Sequence, residues 1–369
     1  MLLYRHFVLR SSFEVGLLTN NPARPPEGIF YRKINLSKWL LRALRTRFYR
    51  WFQDYCQLAL PHFFDRQLLK AANEFKPDLI FNVAETYLSF QALKLARKIN
   101  VPFACYFMDW SHYASQCHEW APPIMDRMYR RLYRDSDLAL CISDGMREEL
   151  GPHPNAHVVY PIPGDAQTTR PNNRIIQKSA DDQCLKFQFL FAGSLGHWYG
   201  RQVKKVLEVL DNELDFSLKV YGQDHDWPED FVIRQQMKGA FGGFRPFEEI
   251  QPEFESADAF LLVMGFDPKD ELIERTSFKT KLVDYFAYEK PILIWGPEYC
   301  SAVRAAREYN AAYCVTDPST ASILNAMKKL SGSVELRDSL VQGVRLAKAN
   351  KYNAEKIHGI LKDCLETLV

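Results

Sequence analysis

The residues best suited to chemistry gather between Arg275 and Trp295, RTSFKTKLVDYFAYEKPILIW. Phe278, Leu282 and Phe286 recur at four-residue spacing, which predicts a short helix with these three as its buried stripe. Ser277, Lys281 and Asp284 then share another face, and Ser277 is placed to cap the helix. The N-terminus of a helix offers free backbone N–H groups and the positive end of the dipole, so with Lys281 beside it this end suits a diphosphate. Asp284, one turn further on, is within reach of ribose hydroxyls. The plainer alternative is a capping serine and a solvated Lys281 to Asp284 pair of little energetic consequence. Pro291 ends the helix, and Ile292-Leu293-Ile294-Trp295 is an apolar run typical of a parallel strand covered on both faces.

Those residues must be positioned by alternating strands and helices. Asp78 to Val83 reads as a strand ending at Ala84-Glu85, and Val101 to Met108 as one ending at Asp109-Trp110-Ser111-His112. A third, Asp137 to Ile142, ends at Ser143-Asp144, which read as a helix cap. Ligands of parallel sheets lie beyond the carboxyl ends of the strands, so Glu85, Asp109 and His112 are candidates for one crevice. Val158 to Pro163 reads as the last strand of a first domain. Residues 164–185, rich in Asn, Gln, Thr, Asp and Pro, read as a linker. Beyond it, Phe187 to Phe191 runs into Ala192-Gly193-Ser194-Leu195-Gly196 and a helix from about Arg201, an arrangement that can cradle phosphate. Phe216 to Tyr221 ends at Gly222, a short strand follows at Gly239 to Phe241, and Gly243-Phe244-Arg245-Pro246 opens a helix before strand Ala259 to Met264.

A chain of 369 residues with 47% hydrophobic and 25% charged residues suits two α/β domains rather than one core. Its net charge of +2 gives no general reason to bind nucleic acid. Eight cysteines are scattered without a CxxC pair, as in the reduced core of a cytoplasmic protein. No cluster of His, Cys and carboxylates has metal-ligand spacing, and no apolar run approaches the ~18 to 20 residues that span a bilayer. One stretch stands out: between Gly28 and Arg50 lie seven Arg or Lys residues and no acid. Trp39, Leu40, Leu44, Phe48, Trp51 and Phe52 accompany them at helical spacing. That pattern predicts a basic amphipathic helix over residues 28–52, fit for an anionic membrane surface or, more plainly, a solvated domain helix. The chain opens on a helix, Leu2 to Arg10, before the strand Phe13 to Thr19. A doubly wound domain normally opens on a strand, so the usual first strand is expected upstream of Met1.

The order of the second half resembles the donor-binding domain of glycosyltransferases of the GT-B fold, family 4 and its relatives. The matching features are the glycine-turn strand at 187–196, the Tyr221-Gly222 strand end, the Gly243 to Glu249 segment, and Thr280, Lys281, Asp284, Tyr285, Ala287, Lys290 and Pro291. The resemblance implies two Rossmann-like domains facing a central cleft: an acceptor-side domain over 1–164, a linker at 165–185, a donor domain over 186–345, and a C-terminal helix at 346–369 crossing back to the first. It implies transfer of a sugar, with retention, from a nucleotide-diphosphate sugar to a glycan or lipid-linked acceptor, with no metal or other cofactor. The cytoplasmic side of a membrane would be its place of work. Donor ligands would come from Gly193, Ser194, Gly196, Arg201, Gly222, Phe244, Arg245, Glu274, Ser277, Thr280, Lys281 and Asp284, and catalytic groups from Glu85, Asp109 and His112, with His118 as the other candidate for the first domain's histidine. The chain departs from the family in having Ser194 and Tyr199 where an Arg and a Lys usually grip the diphosphate, leaving Arg201 or Lys281 to supply the charge. Of the family's two glutamates eight positions apart, Asp284 stands for the second and Thr276 for the first, with Glu274 close by. Two other readings keep the fold: a catalytically silent binding partner, favoured by these departures, and a sugar-nucleotide epimerase.

Overall fold

The computed structural model describes residues 2–10, 12–20, 25–34, 38–85, 87–110, 116–163, 186–213 and 215–369. The linker expected at 165–185 lies outside them. Contacts divide the chain into two compact units, the first formed by 1–160, 276–278 and 357–369, the second by 161–275 and 279–356.

The first unit opens with α1 (Leu2–Phe7), β1 (Gly16–Thr19) and β2 (Phe30–Lys33). β1 and β2 pair in parallel, Gly16 opposite Phe30, as a two-stranded sheet of their own. The expected helix over 28–52 is instead strand β2 followed by two short helices, α2 (Lys38–Ala43) and α3 (Tyr49–Asp54). A turn separates them: Thr46 Oγ1 donates to the Ala43 carbonyl at 2.7 Å and accepts from the Phe48 N–H at 3.3 Å. A threonine side chain bonded to nearby backbone in this way competes with helix continuation. α3 widens into a π-helical turn (Tyr55–Ala59) and a 3₁₀ turn (Leu60–His62) before α4 (Arg66–Phe75), which Asp65 caps through the Gln67 N–H at 2.8 Å.

The main sheet of this unit is β3 (Ile80–Val83), β4 (Phe103–Phe107), β5 (Leu138–Cys141) and β6 (Ala156–Val158), all parallel and in sequential order. Its crossovers are α5 (Leu88–Ile99), α6 (Pro122–Asp135) and α7 (Asp144–Leu150). β4 and β5 are buried along their whole length, as their apolar runs require. β6 ends earlier than the expected Val158 to Pro163 strand. Pro161 and Pro163 have no N–H to give a ladder.

In the second unit β7 (Phe187–Ala192), α8 (Trp198–Val209), β8 (Phe216–Tyr221), α9 (Glu229–Met237), α10 (Phe247–Ser256), β9 (Ala259–Val263), α11 (Glu271–Thr276), α12 (Thr280–Phe286), β10 (Ile292–Trp295), α13 (Ser301–Glu308), β11 (Tyr313–Val315), α14 (Thr320–Gly332) and α15 (Val334–Asn350) follow one another. The last helix, α16 (Ala354–Glu366), belongs mostly to the first unit. The five-stranded sheet is parallel throughout, in the order β11-β10-β9-β7-β8. The strand expected at Gly239 to Phe241 is a single bridge, Val220 to Phe241. Phe189, Phe191, Val203, Leu218, Leu261, Leu293 and Trp295 are among the side chains that fill its core. From β7 the chain moves outward to β8, then returns to the other flank of β7 with β9. The carboxyl ends of β7 and β9 therefore bound the crevice where a doubly wound sheet binds its ligand.

Candidate functional site

At that switch point β7 runs out into Gly193 and Ser194, and β9 into Met264 and Gly265. Gly193 has φ +140°, and a Cβ there would be driven into the side chain of Lys281. Gly222, at the end of β8, is pressed as tightly onto the Gly193 carbonyl, and the Gly193 N–H donates to the Tyr221 carbonyl at 2.9 Å. Both glycines are thus required by close approach. Gly196 is not: a Cβ would meet only ordinary contacts, and its N–H donates to Ser194 Oγ at 3.2 Å.

Lys281 lies across this glycine turn. Its Nζ is 4.4 Å from the Phe191 ring centroid and 4.6 Å from that of Tyr199, and it reaches the Ser194 carbonyl at 3.4 Å. Burial, with the positive charge of Lys279 added, lowers its pKa to about 7. Lys279 is itself buried and ion-paired, Nζ to Glu274 Oε2 at 3.4 Å. It also lies over Trp198 and Tyr199, 5.6 and 5.7 Å from their ring centroids. Glu274, on α11, has no exposed surface. Its Oε1 accepts the Gly265 N–H at 2.8 Å, and desolvation raises its pKa although Lys279 opposes the shift. The result is a basic, aromatic-walled floor at the mouths of β7 and β9, of the kind that holds an anion through backbone N–H groups and two ammonium groups.

The expected donor residues divide. Gly193, Ser194, Gly222, Glu274 and Lys281 converge on this floor. Thr280 is the exposed first residue of α12, and Asp284 is half-buried one turn on. Ser277 is not the cap of α12: the helix begins at Thr280 with Lys279 in the cap position and no side-chain cap bond. Ser277 is buried two residues earlier, in the short segment that clusters with the first unit. Arg201 is exposed on α8, where Asp267 and Asp270 feel its charge. Phe244 is exposed in the loop before α10, with Arg245 lying 5.9 Å from the centroid of the Tyr221 ring. The Lys290 of the family-like turn serves α10 instead: its Nζ donates to the carbonyls of Phe254, Glu255 and Ala257 at 2.9, 2.5 and 2.6 Å. Lys279, Trp198 and Tyr199 were not singled out as ligands from sequence. Their only advance signal was a second lysine two residues before Lys281.

In the first unit Glu85 and Asp109 follow the carboxyl ends of β3 and β4. Burial, aided by the charge of Asp109, pushes the Glu85 carboxyl upward. Glu85 lines a pocket with Gln57, Tyr87, Met125, Met128 and Tyr129. The Asp109 carbonyl accepts from Tyr129 Oη at 2.9 Å. His112 lies outside the described residues. His118 is held by Asp54, Nδ1 to Oδ2 at 2.6 Å. Among the described residues no group of three or more His, Cys, Asp and Glu side chains is placed to hold a metal, and no helix is long and apolar enough to cross a membrane.

Two Rossmann-like units with parallel sheets, the second with a basic floor at its switch point, define a GT-B protein. Residues 8–162 match the family model described as Glycosyltransferase Family 4. Sucrose-phosphate synthase from Thermosynechococcus elongatus is similar over 99% of this chain and 92% of its own, with TM-score 0.63 and 10% identity. A glycosyltransferase from Rickettsia africae is similar over 91% and 85%, with TM-score 0.62 and 12% identity. Anabaena HepE, crystallised with UDP, is similar over 82% of each chain, with TM-score 0.59 and 13% identity. No curated protein sequence matches. The chain thus has the GT-B fold of these structures, and its residues 8–162 are similar to Glycosyltransferase Family 4.

Proposed function

We propose that the protein transfers a sugar, with retention, from a nucleotide-diphosphate sugar held by the second unit to a glycan or lipid-linked acceptor held by the first. The observation that carries this reading is Lys281 laid across Gly193 at the switch point of the second sheet. Its ammonium there faces aromatic rings and one carbonyl; a diphosphate would supply a counter-charge in place of the hydration that burial removes. The Gly193-Ser194 turn would give backbone contacts, Lys279 a second cation, and Asp284 a carboxylate for the ribose. Catalysis would rest on positioning the sugar and stabilising the departing diphosphate. The UDP and UDP-glucose complexes of Anabaena HepE support a uridine nucleotide as the first donor to try.

Glu85 and Asp109 are proposed to face the acceptor, as the carboxylates at the carboxyl ends of β3 and β4. Trp39, Leu41 and Phe48 are exposed among Arg42, Arg45 and Arg47. This arrangement favours peripheral attachment to an anionic membrane, hence a cytoplasmic protein at its inner face. Incubation with UDP-sugars tests the reading. Release of UDP that rises when a glycan or lipid-linked acceptor is added supports it; no turnover with any nucleotide sugar, or epimerisation of the sugar without an acceptor, contradicts it.

A further inference from the structure

A second constellation of the first unit is unused by the donor chemistry. Asp54 ends α3, where the helix widens into its π-helical turn, and is only 4% exposed. Both of its oxygens serve the loop that follows β4. Oδ1 accepts the backbone N–H of His118 at 3.0 Å, and Oδ2 lies 2.6 Å from His118 Nδ1. A buried carboxylate so placed orients the imidazole with Nδ1 as donor, which leaves Nε2 as a hydrogen-bond acceptor. The His118 side chain is 26% exposed, and among the described residues no group is hydrogen-bonded to Nε2.

Two tryptophans frame the ring. Trp51 stands 4.5 Å away, centroid to centroid, and Trp120 lies nearly parallel to the imidazole at 13° and 6.5 Å. They are 59% and 50% exposed. Large indole faces left in water beside a fixed polar group indicate a binding surface rather than core packing. A pyranose matches this chemistry: its C–H face covers an indole, and a hydroxyl donates to Nε2. The position agrees, because the loop after β4 is at the ligand-bearing end of a parallel sheet. A lipid surface would use the indoles alone and leave the imidazole that Asp54 orients without a role.

We propose that Asp54, His118, Trp51 and Trp120 form a carbohydrate-binding site that takes a pyranose unit of the acceptor glycan. The site rests on the glycosyltransferase reading, and UDP binding is measured beside it so that the two can fail separately. The full-length protein is applied to an array of neutral and acidic oligosaccharides, and a retained glycan is titrated while tryptophan emission is followed. Saturable quenching is expected, weakened about fivefold or more in Trp120→Ala, Trp51→Ala and His118→Ala, with UDP affinity unchanged in all three. Asp54→Asn should weaken glycan binding while the melting curve stays cooperative. Retention of no glycan by a protein that binds UDP overturns the site, as does wild-type glycan affinity in both tryptophan variants. Loss of sedimentation with phosphatidylglycerol vesicles in those variants, without loss of glycan binding, assigns the indoles to a membrane and overturns it as well.

Discussion

The side chain of Lys281 crosses Gly193 so closely that residue 193 can carry no side chain of its own. Gly193→Ala must therefore move the lysine, the loop, or both. The variant should fold with some loss of stability, since the displaced lysine end is flexible but φ +140° strains any L side chain, and should bind UDP about tenfold or more weakly, a loss of ~1.4 kcal/mol. Calorimetric titration beside a thermal melt checks both halves.

Lys281 carries a stability cost that its role would explain. Its pKa in the fold is about 7 against 10.5 in the open chain, so between these values the unfolded state holds more protons and stability rises with pH. Lys281→Met should abolish that rise and melt higher at pH 7 than the parent. A lower melting temperature in the variant would show that the ammonium is satisfied in the free protein.

The Glu274 to Lys279 pair is buried, so removing the carboxylate weakens the compensation of a buried cation. Glu274→Ala should cost about 3 to 5 kcal/mol, because it removes the buried carboxylate that pairs with Lys279 and accepts the Gly265 N–H. Denaturant titration measures it. A change below about 1 kcal/mol would mean that the pair behaves like an exposed one.

His6 and His358 meet where α1 and α16 touch, Nδ1 to Nδ1 at 3.3 Å. Burial, then the charges of His358 and Arg10, lower the His6 pKa to about 3. A histidine whose folded pKa falls below 6.5 is neutral in the native state, so stability is full above pH 6.5 and is lost as pH falls toward 3. Melts at pH 7 and pH 4.5 should differ less in His6→Leu than in the parent, and equal differences would remove the histidine from the acid response.

Much of the second unit was legible in sequence because its signals are local. Ile292 to Trp295 is apolar throughout and became β10, and Phe216 to Tyr221 became β8 residue for residue. The glycine turn could be placed, and Lys281 could be named as a cation near it. Pairings between distant residues could not be read. Asp54 and His118 are 64 positions apart, and Glu274 meets Lys279 through a bend that no period describes. The Ser277 cap failed because the buried Phe278 and the Lys279 to Glu274 pair delay the helix to Thr280. Lys290 looked like part of a ligand motif and is instead the donor that closes the C-terminus of α10.

The most direct measurement is the calorimetric titration of the parent protein and Lys281→Met with UDP at pH 7. A second unit built to hold a nucleotide diphosphate predicts saturable binding to the parent and a loss of about tenfold or more in the variant. Equal affinities in the two proteins, or no heat of binding to a parent that melts cooperatively, would contradict it.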